Sequence, residues 1–257
     1  MNPFKTKRGE LLMPIIYLSP STQENNYYVT GGTEEYHMNR LADAMVPYLI
    51  SNGIQYVRNT PEMTAASSIR QANAGWYDFY LALHSNAAGE GNYGGQRGII
   101  AFYFPGSING QRAADLFVEN LKMIYPLPDQ VRTQATRTLG EVAQSRFPAV
   151  LLEIGYHDNR EDALWIENNL TEIAQNLVFS LTQYFGLPFI WPIDPINGTV
   201  TVGFGTLNLR ARPSMDAQVI ASMPSCVAVR IYGQWQGWYV VHYGEYVGYA
   251  AAEFIHT

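Results

Sequence analysis

Three side chains in this sequence have the chemistry and the placement to form a reactive site. Glu153 ends an apolar run that follows Pro148, and the chain then turns at Gly155; a short run of this kind predicts a buried strand. His84 also follows an apolar run, and Glu34 falls in the first turn of a predicted helix. In open α/β sheets, ligands bind outside the carboxyl ends of the strands. We therefore expect Glu34, His84 and Glu153 to face one cleft.

Imidazole and carboxylate groups that converge at such an edge form the ligand set of a catalytic zinc site, in which protein side chains hold the ion and an open position holds water. Bound zinc lowers the pKa of that water to about 7, and a remaining carboxylate can act as general base. Each residue also has an ordinary interpretation. His84 can be a hydrogen-bonded core histidine, Glu34 an acid favoured by the helix dipole, and Glu153 a solvated or paired strand end.

The other histidines are candidates of the same kind. His37 lies three residues after Glu34, on the same helix face, so the two form either a metal pair or an ordinary surface contact. His157 follows the strand that carries the second carboxylate, and it is either a ligand near the cleft or a loop residue that hydrogen-bonds the backbone. His242 and His256 fall in a β-rich region and are interpreted as structural or solvent-facing.

Strands and helices alternate between residues 15 and 185. Apolar runs predict strands at 15–18, 54–58, 78–83, 99–104 and 148–153, and helical spacing predicts helices at 34–52, 65–74, 111–125 and 161–185. The stretch before Pro148 is predicted to be rich in turns. This alternation predicts an α/β domain with a mostly parallel sheet flanked by helices.

The composition changes after Gly186. Three prolines predict a stiff linker over 187–198, and short β-type runs with close turns then predict a small all-β barrel over 199–257. The α/β domain is predicted to span 15–186. Residues 1–14 combine basic residues with a short apolar run and lack a small-residue cleavage site, so we interpret them as an N-terminal extension without a convincing signal peptide.

Charge and cysteine content exclude several classes of protein. The chain has 257 residues, a net charge of −6 and no basic block, which argues against nucleic acid as a partner. No segment approaches the roughly 18 apolar residues of a transmembrane helix, so no membrane insertion is predicted. The single cysteine, Cys226, rules out an internal disulfide framework and a zinc site built from cysteines.

Several blocks keep the order and spacing of a known family. They are Glu34 with Arg40-Leu41-Ala42, Val57-Arg58, Arg70-Gln71-Ala72-Asn73, Leu83-His84-Ser85-Asn86-Ala87, and the stretch 148–153 with Gly155 and Asn159. With these blocks, the region from about 15 to 185 resembles the type 3 N-acetylmuramoyl-L-alanine amidases, which are zinc enzymes of peptidoglycan hydrolysis. The resemblance implies one zinc ion (Zn²⁺) as cofactor, Glu34 and His84 as ligands, and Glu153 as the catalytic general base that helps to cleave the amide between N-acetylmuramic acid and L-alanine. From their location, Asn86 and Arg70 are predicted to position substrate.

The loop after the first strand departs from this family. Thr22 stands where the family has its first ligand histidine. His37 can replace it from the helix face of Glu34, His157 can replace it from the later loop, and Gln23 or Glu24 can supply an oxygen. The remaining alternative is a catalytically inactive wall-binding protein. We predict a working site with His37 as third ligand, since Glu-x-x-His on a helix face is a recurrent metal-binding spacing, and with His157 as the alternative.

The C-terminal region resembles the bacterial SH3 domains of cell-wall hydrolases. The residues that carry the resemblance are LNLRARP at 207–213, VI at 219–220, GWYVV at 237–241 and GYA at 248–250. The resemblance implies a module that targets wall peptides, although Trp235, Trp238 and Tyr239 can also be core residues. Peptidoglycan is thus the expected partner, and the cell wall or the extracellular space is the expected location. The export route stays open and includes release of the phage-lysin (endolysin) type.

Overall fold

The structure is a computed structural model, and it describes residues 13–257. The chain divides into two compact units. The α/β unit contains residues 15–46 and 56–184, and the C-terminal β unit contains residues 185–257 together with 47–55 and the described residues 13–14. Most of the predicted N-terminal extension, 1–14, lies outside the described residues. The predicted domain boundaries stay predictions.

The α/β unit is built on a six-stranded sheet with the strand order β2-β1-β3-β6-β4-β5. Its strands are β1 (Ile15–Pro20), β2 (Gln55–Arg58), β3 (Phe79–Asn86), β4 (Ile99–Tyr103), β5 (Val131–Ala135) and β6 (Ala149–Tyr156). The helices are α1 (Glu34–Ser51), α2 (Ala65–Ala74), α3 (Ile108–Leu121), α4 (Gly140–Ala143), α5 (Arg160–Asn168) and α6 (Leu170–Phe185), with one 3₁₀ turn at Pro128–Gln130.

Strand direction confirms the predicted fold class. β1 pairs with β3, β3 with β6, and β4 with β5 in parallel, whereas β4 runs antiparallel to β6. β3 and β6 lie at the centre and are buried along almost their whole length, as expected for strands covered on both faces. Their register sets His84 opposite Glu153.

The start of α1 positions one of the candidate site residues. Thr33 accepts a hydrogen bond from the backbone N–H of Tyr36 at 3.1 Å, which satisfies one of the free donors of the first turn. Glu34 is the first helical residue. Thr33 therefore caps the helix, and the helix start predicted at residue 34 places the carboxylate in the first turn.

Two parts of the predicted secondary structure were wrong. The helix predicted over 161–185 is two helices, α5 and α6, separated at Asn169. The Asn169 side-chain amide donates to the carbonyl oxygen of Trp165 at 2.7 Å, and such local bonds compete with helix continuation. The stretch before β6 contains β5 and α4, which the sequence did not reveal because β5 is mostly exposed and α4 has only four residues.

The C-terminal β unit contains a seven-stranded sheet with the order β13-β7-β10-β11-β12-β8-β9. Its strands are β7 (Ile196–Val200), β8 (Thr206–Arg210), β9 (Val219–Pro224), β10 (Ala228–Trp235), β11 (Trp238–Tyr243), β12 (Tyr246–Ala251) and β13 (Ile255–His256). The neighbouring strands pair antiparallel, and buried aliphatic residues such as Leu209, Met223 and Ile231 form its core. An all-β, SH3-like unit is thereby confirmed, with its first strand starting inside the range predicted as linker.

The two C-terminal histidines fit their ordinary interpretation. His242 packs against Tyr232 with ring centroids 4.2 Å apart, and His256 is exposed. Among the helices described within residues 13–257, none is long and apolar enough to cross a membrane.

Candidate active site

The α/β unit brings Glu34 and His84 into direct contact. Glu34 Oε1 lies 2.8 Å from His84 Nδ1, and both side chains are buried. The other Glu34 oxygen accepts from the side-chain amide of Asn26 at 2.7 Å, and the backbone N–H of Ser85 donates to Oε1 at 3.3 Å. Two of the three residues proposed from the sequence therefore meet at one point, although they are 50 positions apart.

A second carboxylate, which sequence reasoning missed, holds the other side of the same ring. His84 Nε2 lies 2.7 Å from Glu141 Oε2. Glu141 Oε1 accepts hydrogen bonds from the hydroxyls of Tyr80 at 2.8 Å and Ser19 at 2.6 Å. Glu141 sits in the first turn of α4 and is buried. The only sequence signal was an acid inside the apolar stretch from Leu139 to Val142.

The pKa values reflect this arrangement of one imidazole between two carboxylates. Burial alone lowers the pKa of His84, but its hydrogen bonds to Glu141 and Glu34 hold the pKa well above its usual value. Burial raises the pKa of Glu34 and of Glu141, but the hydrogen bond from His84, the charge of His84 and the bonds from other side chains together outweigh it, and both pKa values lie below their usual value. Without a bound ion, His84 is therefore charged and compensates the two buried carboxylates.

Glu153 is the remaining carboxylate of the cluster. Within the described part of the chain, its Oε2 is buried and has no hydrogen-bond partner. Burial raises its pKa to about 7; the charge of His84 lowers it, and the charges of Glu34 and Glu141 raise it. A carboxyl group with a pKa near the working pH is suited to general acid–base catalysis.

Burial of Glu153 should make stability depend on pH. Its pKa of about 7 in the folded state lies above the ordinary 4.5, so between these values the folded protein binds more protons than the unfolded chain, and the free energy of unfolding falls as pH rises. The full effect is about 3 kcal/mol. Glutamine has no charge to bury, so Glu153→Gln should not lose stability in this way. In chelator-treated protein, we expect the free energy of unfolding of Glu153→Gln to exceed that of wild type by an amount that grows from pH 5 to pH 8.

Urea denaturation at each pH measures this difference. The matched control is Glu172→Gln, because Glu172 is an exposed carboxylate on α6, and its difference from wild type should stay constant. A difference for Glu153→Gln that is equally flat across the range would contradict the assigned pKa shift.

His37, the predicted third ligand, has other contacts. Its Nε2 lies 2.9 Å from the carbonyl oxygen of Gly31 and 3.6 Å from Glu167 Oε1, and its ring stacks on Tyr28 with centroids 4.1 Å apart. The Nδ1 atom is buried and has no hydrogen-bond partner among residues 13–257. The structure thus brings neither nitrogen of His37 into a hydrogen bond with Glu34.

His157, the alternative ligand, hydrogen-bonds the residue next to His84. Its Nδ1 lies 2.9 Å from the carbonyl oxygen of Ser85 and 3.2 Å from the Ser85 hydroxyl, as in the ordinary interpretation of a loop histidine that bonds the backbone. Of the two residues expected to position substrate, Asn86 uses its Oδ1 to accept from the N–H of Ala87 at 2.8 Å, and Arg70 is exposed on α2.

A cleft of about 410 Å³ borders this cluster, and of the three residues expected to face one cleft, only His84 lines it. His84 and Glu141 lie in its wall, together with Thr22, Gln23 and Asn59. Gln23 Nε2 is 3.4 Å from His84 Nδ1, so the loop that lacks the family's histidine still reaches the imidazole. The cleft is large enough to admit part of a ligand of ordinary size.

The donor chemistry fits zinc on one side of His84. Both ring nitrogens face a carboxylate oxygen, which only accepts hydrogen bonds, so both carry a hydrogen when no ion is bound. Nδ1 lies on the side of Glu34 and of the exposed Gln23, so an ion would bind there. The three carboxylates around one imidazole also favour a cation. Glu34 and His84 therefore fit as two ligands. Among residues 13–257, no group of three or more His, Cys, Asp and Glu side chains is placed to hold an ion, so a third donor of those types is not in position.

A buried imidazole between carboxylates, at the ends of parallel strands and beside a cleft, defines an α/β protein with a candidate hydrolytic site. The family model for N-acetylmuramoyl-L-alanine amidase matches residues 21–183, which is more than half of the chain. The chain belongs to this amidase family, a class of hydrolases. A second model, for the bacterial SH3 domain, matches residues 205–256.

Solved structures show the same fold. The chain is similar to the N-acetylmuramoyl-L-alanine amidase AmiC2 of Nostoc punctiforme, with 15% identity and a TM-score of 0.59 over 67% of this chain and 97% of that one. It is similar to an N-acetylmuramoyl-L-alanine amidase from Clostridium difficile, with 16% identity and a TM-score of 0.59 over 68% and 97% of the two chains.

The catalytic domain of the amidase CwlV from Bacillus (Paenibacillus) polymyxa gives 15% identity and a TM-score of 0.59 over 68% of this chain and all of that domain, 100%. A search of curated proteins found no match. At these identities the structural likeness supports the fold, while the family model carries the assignment to the amidases.

Proposed function

We propose that this protein is a zinc-dependent amidase that hydrolyses the bond between N-acetylmuramic acid and L-alanine in peptidoglycan, with Glu153 as general base. The observation that carries the proposal is the register that sets Glu153, with its unpartnered oxygen and a pKa of about 7, beside His84 and its carboxylate Glu34. Family membership supplies the reaction class.

Glu34, His84 and Glu153 have distinct roles in the proposed reaction. Glu34 and His84 Nδ1 would hold the zinc ion, which when bound polarises the amide carbonyl and lowers the pKa of water. Glu153 accepts a proton from the attacking water and returns it to the leaving nitrogen of L-alanine. Because Glu153 Oε2 has no partner of its own in the described chain, it is free to accept that proton.

Two residues are candidates for the third zinc ligand. His37 and His157 remain candidates from the sequence, and their present bonds to Gly31 and Ser85 would have to be exchanged. We keep Asn86 and Arg70 as proposed substrate-positioning residues, which sit at the end of β3 and on α2.

Purified protein tests this function directly. Incubation with peptidoglycan and counting of new L-alanine amino ends measures the reaction, and elemental analysis of the same sample measures zinc. We expect both stoichiometric zinc and new amino ends. Zinc without amino ends would point to another substrate, and peptidase products detected by mass would identify a different amide.

We further propose that the C-terminal β unit targets the enzyme to the cell wall, so that the protein acts at the wall or outside the cell. The bacterial SH3 match over 205–256 supports this role. Sedimentation of the chain with insoluble peptidoglycan tests it, and a protein that stays in the supernatant contradicts it.

A second function is favoured by the loop after β1. Thr22 occupies the position of the family's histidine, and the described residues lack a third metal donor of the usual type. A wall-binding protein without catalysis would show both features. In that case the chain sediments with walls but carries no zinc.

Restoring the missing residue separates the two functions. Thr22 lines the cleft beside His84, and we expect Thr22→His to raise zinc affinity by more than about tenfold, the scale on which changes next to a metal ligand act. Competition with a chromogenic chelator measures the affinity, and Thr64→His, a change at another threonine that lines the same cleft, serves as control. An unchanged zinc affinity in Thr22→His would show that adding the missing histidine does not complete the site, which would favour the wall-binding function.

A further inference from the structure

Glu141 is a buried carboxylate for which the reaction as proposed has no role. All of its hydrogen bonds are made inside the α/β unit: Oε2 meets His84 Nε2 at 2.7 Å, and Oε1 receives the hydroxyls of Ser19 and Tyr80. Burying an ion in this way is costly unless its bonds are complete. The side chain is thus held rigidly between β1, β3 and α4.

We propose that Glu141 is a positioning residue that holds the hydrogen of His84 on Nε2 and thereby presents Nδ1 to the ion. This inference rests on the proposed function, because it requires that Glu34 and His84 bind a metal ion. It assigns to Glu141 the role that a carboxylate behind a ligand histidine has in zinc sites, where it fixes the tautomer and the ring orientation.

The geometry of the ring carries the argument. A carboxylate oxygen has no hydrogen to donate, so the contact at 2.7 Å requires a hydrogen on Nε2. The opposite nitrogen, Nδ1, faces Glu34 Oε1 at 2.8 Å and Gln23 at 3.4 Å. In the metal-free ring both nitrogens face a carboxylate, so both carry a hydrogen. Ser19 and Tyr80, which hold Glu141, are buried, whereas Gln23 beside Nδ1 is exposed and lines the cleft. An ion would therefore replace the hydrogen on Nδ1, and Glu141 would act from behind the ring without touching the ion.

The hydrogen bonds that anchor Glu141 also prevent the His84 ring from flipping. Ser19 comes from β1 and Tyr80 from β3, the strand that also carries His84. Their two hydroxyls occupy Oε1, which leaves Oε2 for the ring. Rotation of the ring by 180° would break the hydrogen bonds of both ring nitrogens, to Glu34 and to Glu141.

The first measurement is ¹⁵N NMR of the His84 ring in full-length, metal-free protein, which does not depend on a Glu141 variant. We expect a slowly exchanging hydrogen on Nε2, assigned by its loss in His84→Ala. Glu141→Gln should keep this signal because its amide oxygen can still accept, whereas Glu141→Leu should lose it. A ring whose Nε2 carries no hydrogen in the unsubstituted protein would overturn the proposal.

The second measurement is zinc affinity by chelator competition. We expect Glu141→Leu to weaken binding about 10- to 100-fold and Glu141→Gln to recover most of that loss. The control is Tyr125→Phe, which removes a hydroxyl from another buried carboxylate, Asp162, at 2.6 Å, and should leave the affinity unchanged. Affinity within about threefold of wild type in folded Glu141→Leu would overturn the proposal while leaving the amidase function intact.

The two measurements separate failure of this inference from failure of the proposed function. If the unsubstituted protein binds no zinc, the metal centre of the proposed function is wrong, and the NMR signal of His84 then decides whether Glu141 holds the ring. If Glu141→Leu does not fold, the NMR signal of the unsubstituted protein and the behaviour of Glu141→Gln decide the question.

Discussion

Replacement of Glu153 by glutamine should slow the release of L-alanine amino ends from peptidoglycan by about 100- to 10,000-fold, the usual contribution of a general base. The amide has the same shape as the carboxyl group but cannot accept the proton of water. The replaced group has a buried, unpartnered oxygen in the described structure, so few other bonds are lost. The effect should therefore fall on the rate rather than on folding.

The pH profile gives this prediction a second readout. In the metal-free protein the pKa of Glu153 is raised from 4.5 to about 7, and a bound cation would bring it back toward the ordinary value. Only the ionised form can act as base, and this form increases as pH rises from about 4.5 to 7. The wild-type rate should rise over that range, and the residual rate of Glu153→Gln should lack this rise.

The zinc content of Glu153→Gln should equal that of wild type, since Glu153 is proposed as base and not as ligand. Glu172→Gln, a change of an exposed carboxylate, should keep full activity. If Glu153→Gln releases amino ends as fast as wild type, Glu153 is not the base.

The second large effect concerns His84 and stability. In the metal-free protein, His84 compensates the charges of Glu34 and Glu141, with contacts of 2.8 and 2.7 Å. Removing one partner of a buried ion pair typically costs about 3–5 kcal/mol, because it leaves an uncompensated charge in the interior. We expect His84→Leu to lower the free energy of unfolding by about this amount and to abolish zinc binding.

The cause can be isolated by neutralising the carboxylates. In the triple variant Glu34→Gln, Glu141→Gln, His84→Leu, no charge from these three residues is buried, so most of the lost stability should return. Urea denaturation in the presence of chelator at neutral pH measures both variants. A triple variant that is no more stable than His84→Leu alone would show that the loss comes from packing rather than from charge.

The sequence was sufficient for the parts of the site that depend on local pattern. Apolar runs predicted β3 and β6, helical spacing predicted α1 from residue 34, and together they predicted that Glu34, His84 and Glu153 would converge. The contact of His84 with Glu34 and the register of His84 with Glu153 follow from this arrangement.

Glu141 could not be found in this way. It lies on a helix of four residues, too short to give a periodic signal, and its bonds to Ser19, Tyr80 and His84 span 57 to 122 positions of sequence. Likewise, helical spacing put His37 on the face of Glu34, but the turn that brings the Gly31 carbonyl oxygen to its Nε2 is not encoded in that spacing. Long-range polar contacts depend on the exact path of loops.

The residues around His84 are far apart in the sequence, and this separation affects how fast the protein folds. Its ring joins chain segments 50 and 57 positions away, so closing these loops costs entropy before any contact is gained, and folds dominated by such non-local pairings are slow to form. The nitrogen resonances of this ring should therefore reach their native frequencies only in the last kinetic phase of refolding, after the helices have already produced their circular dichroism.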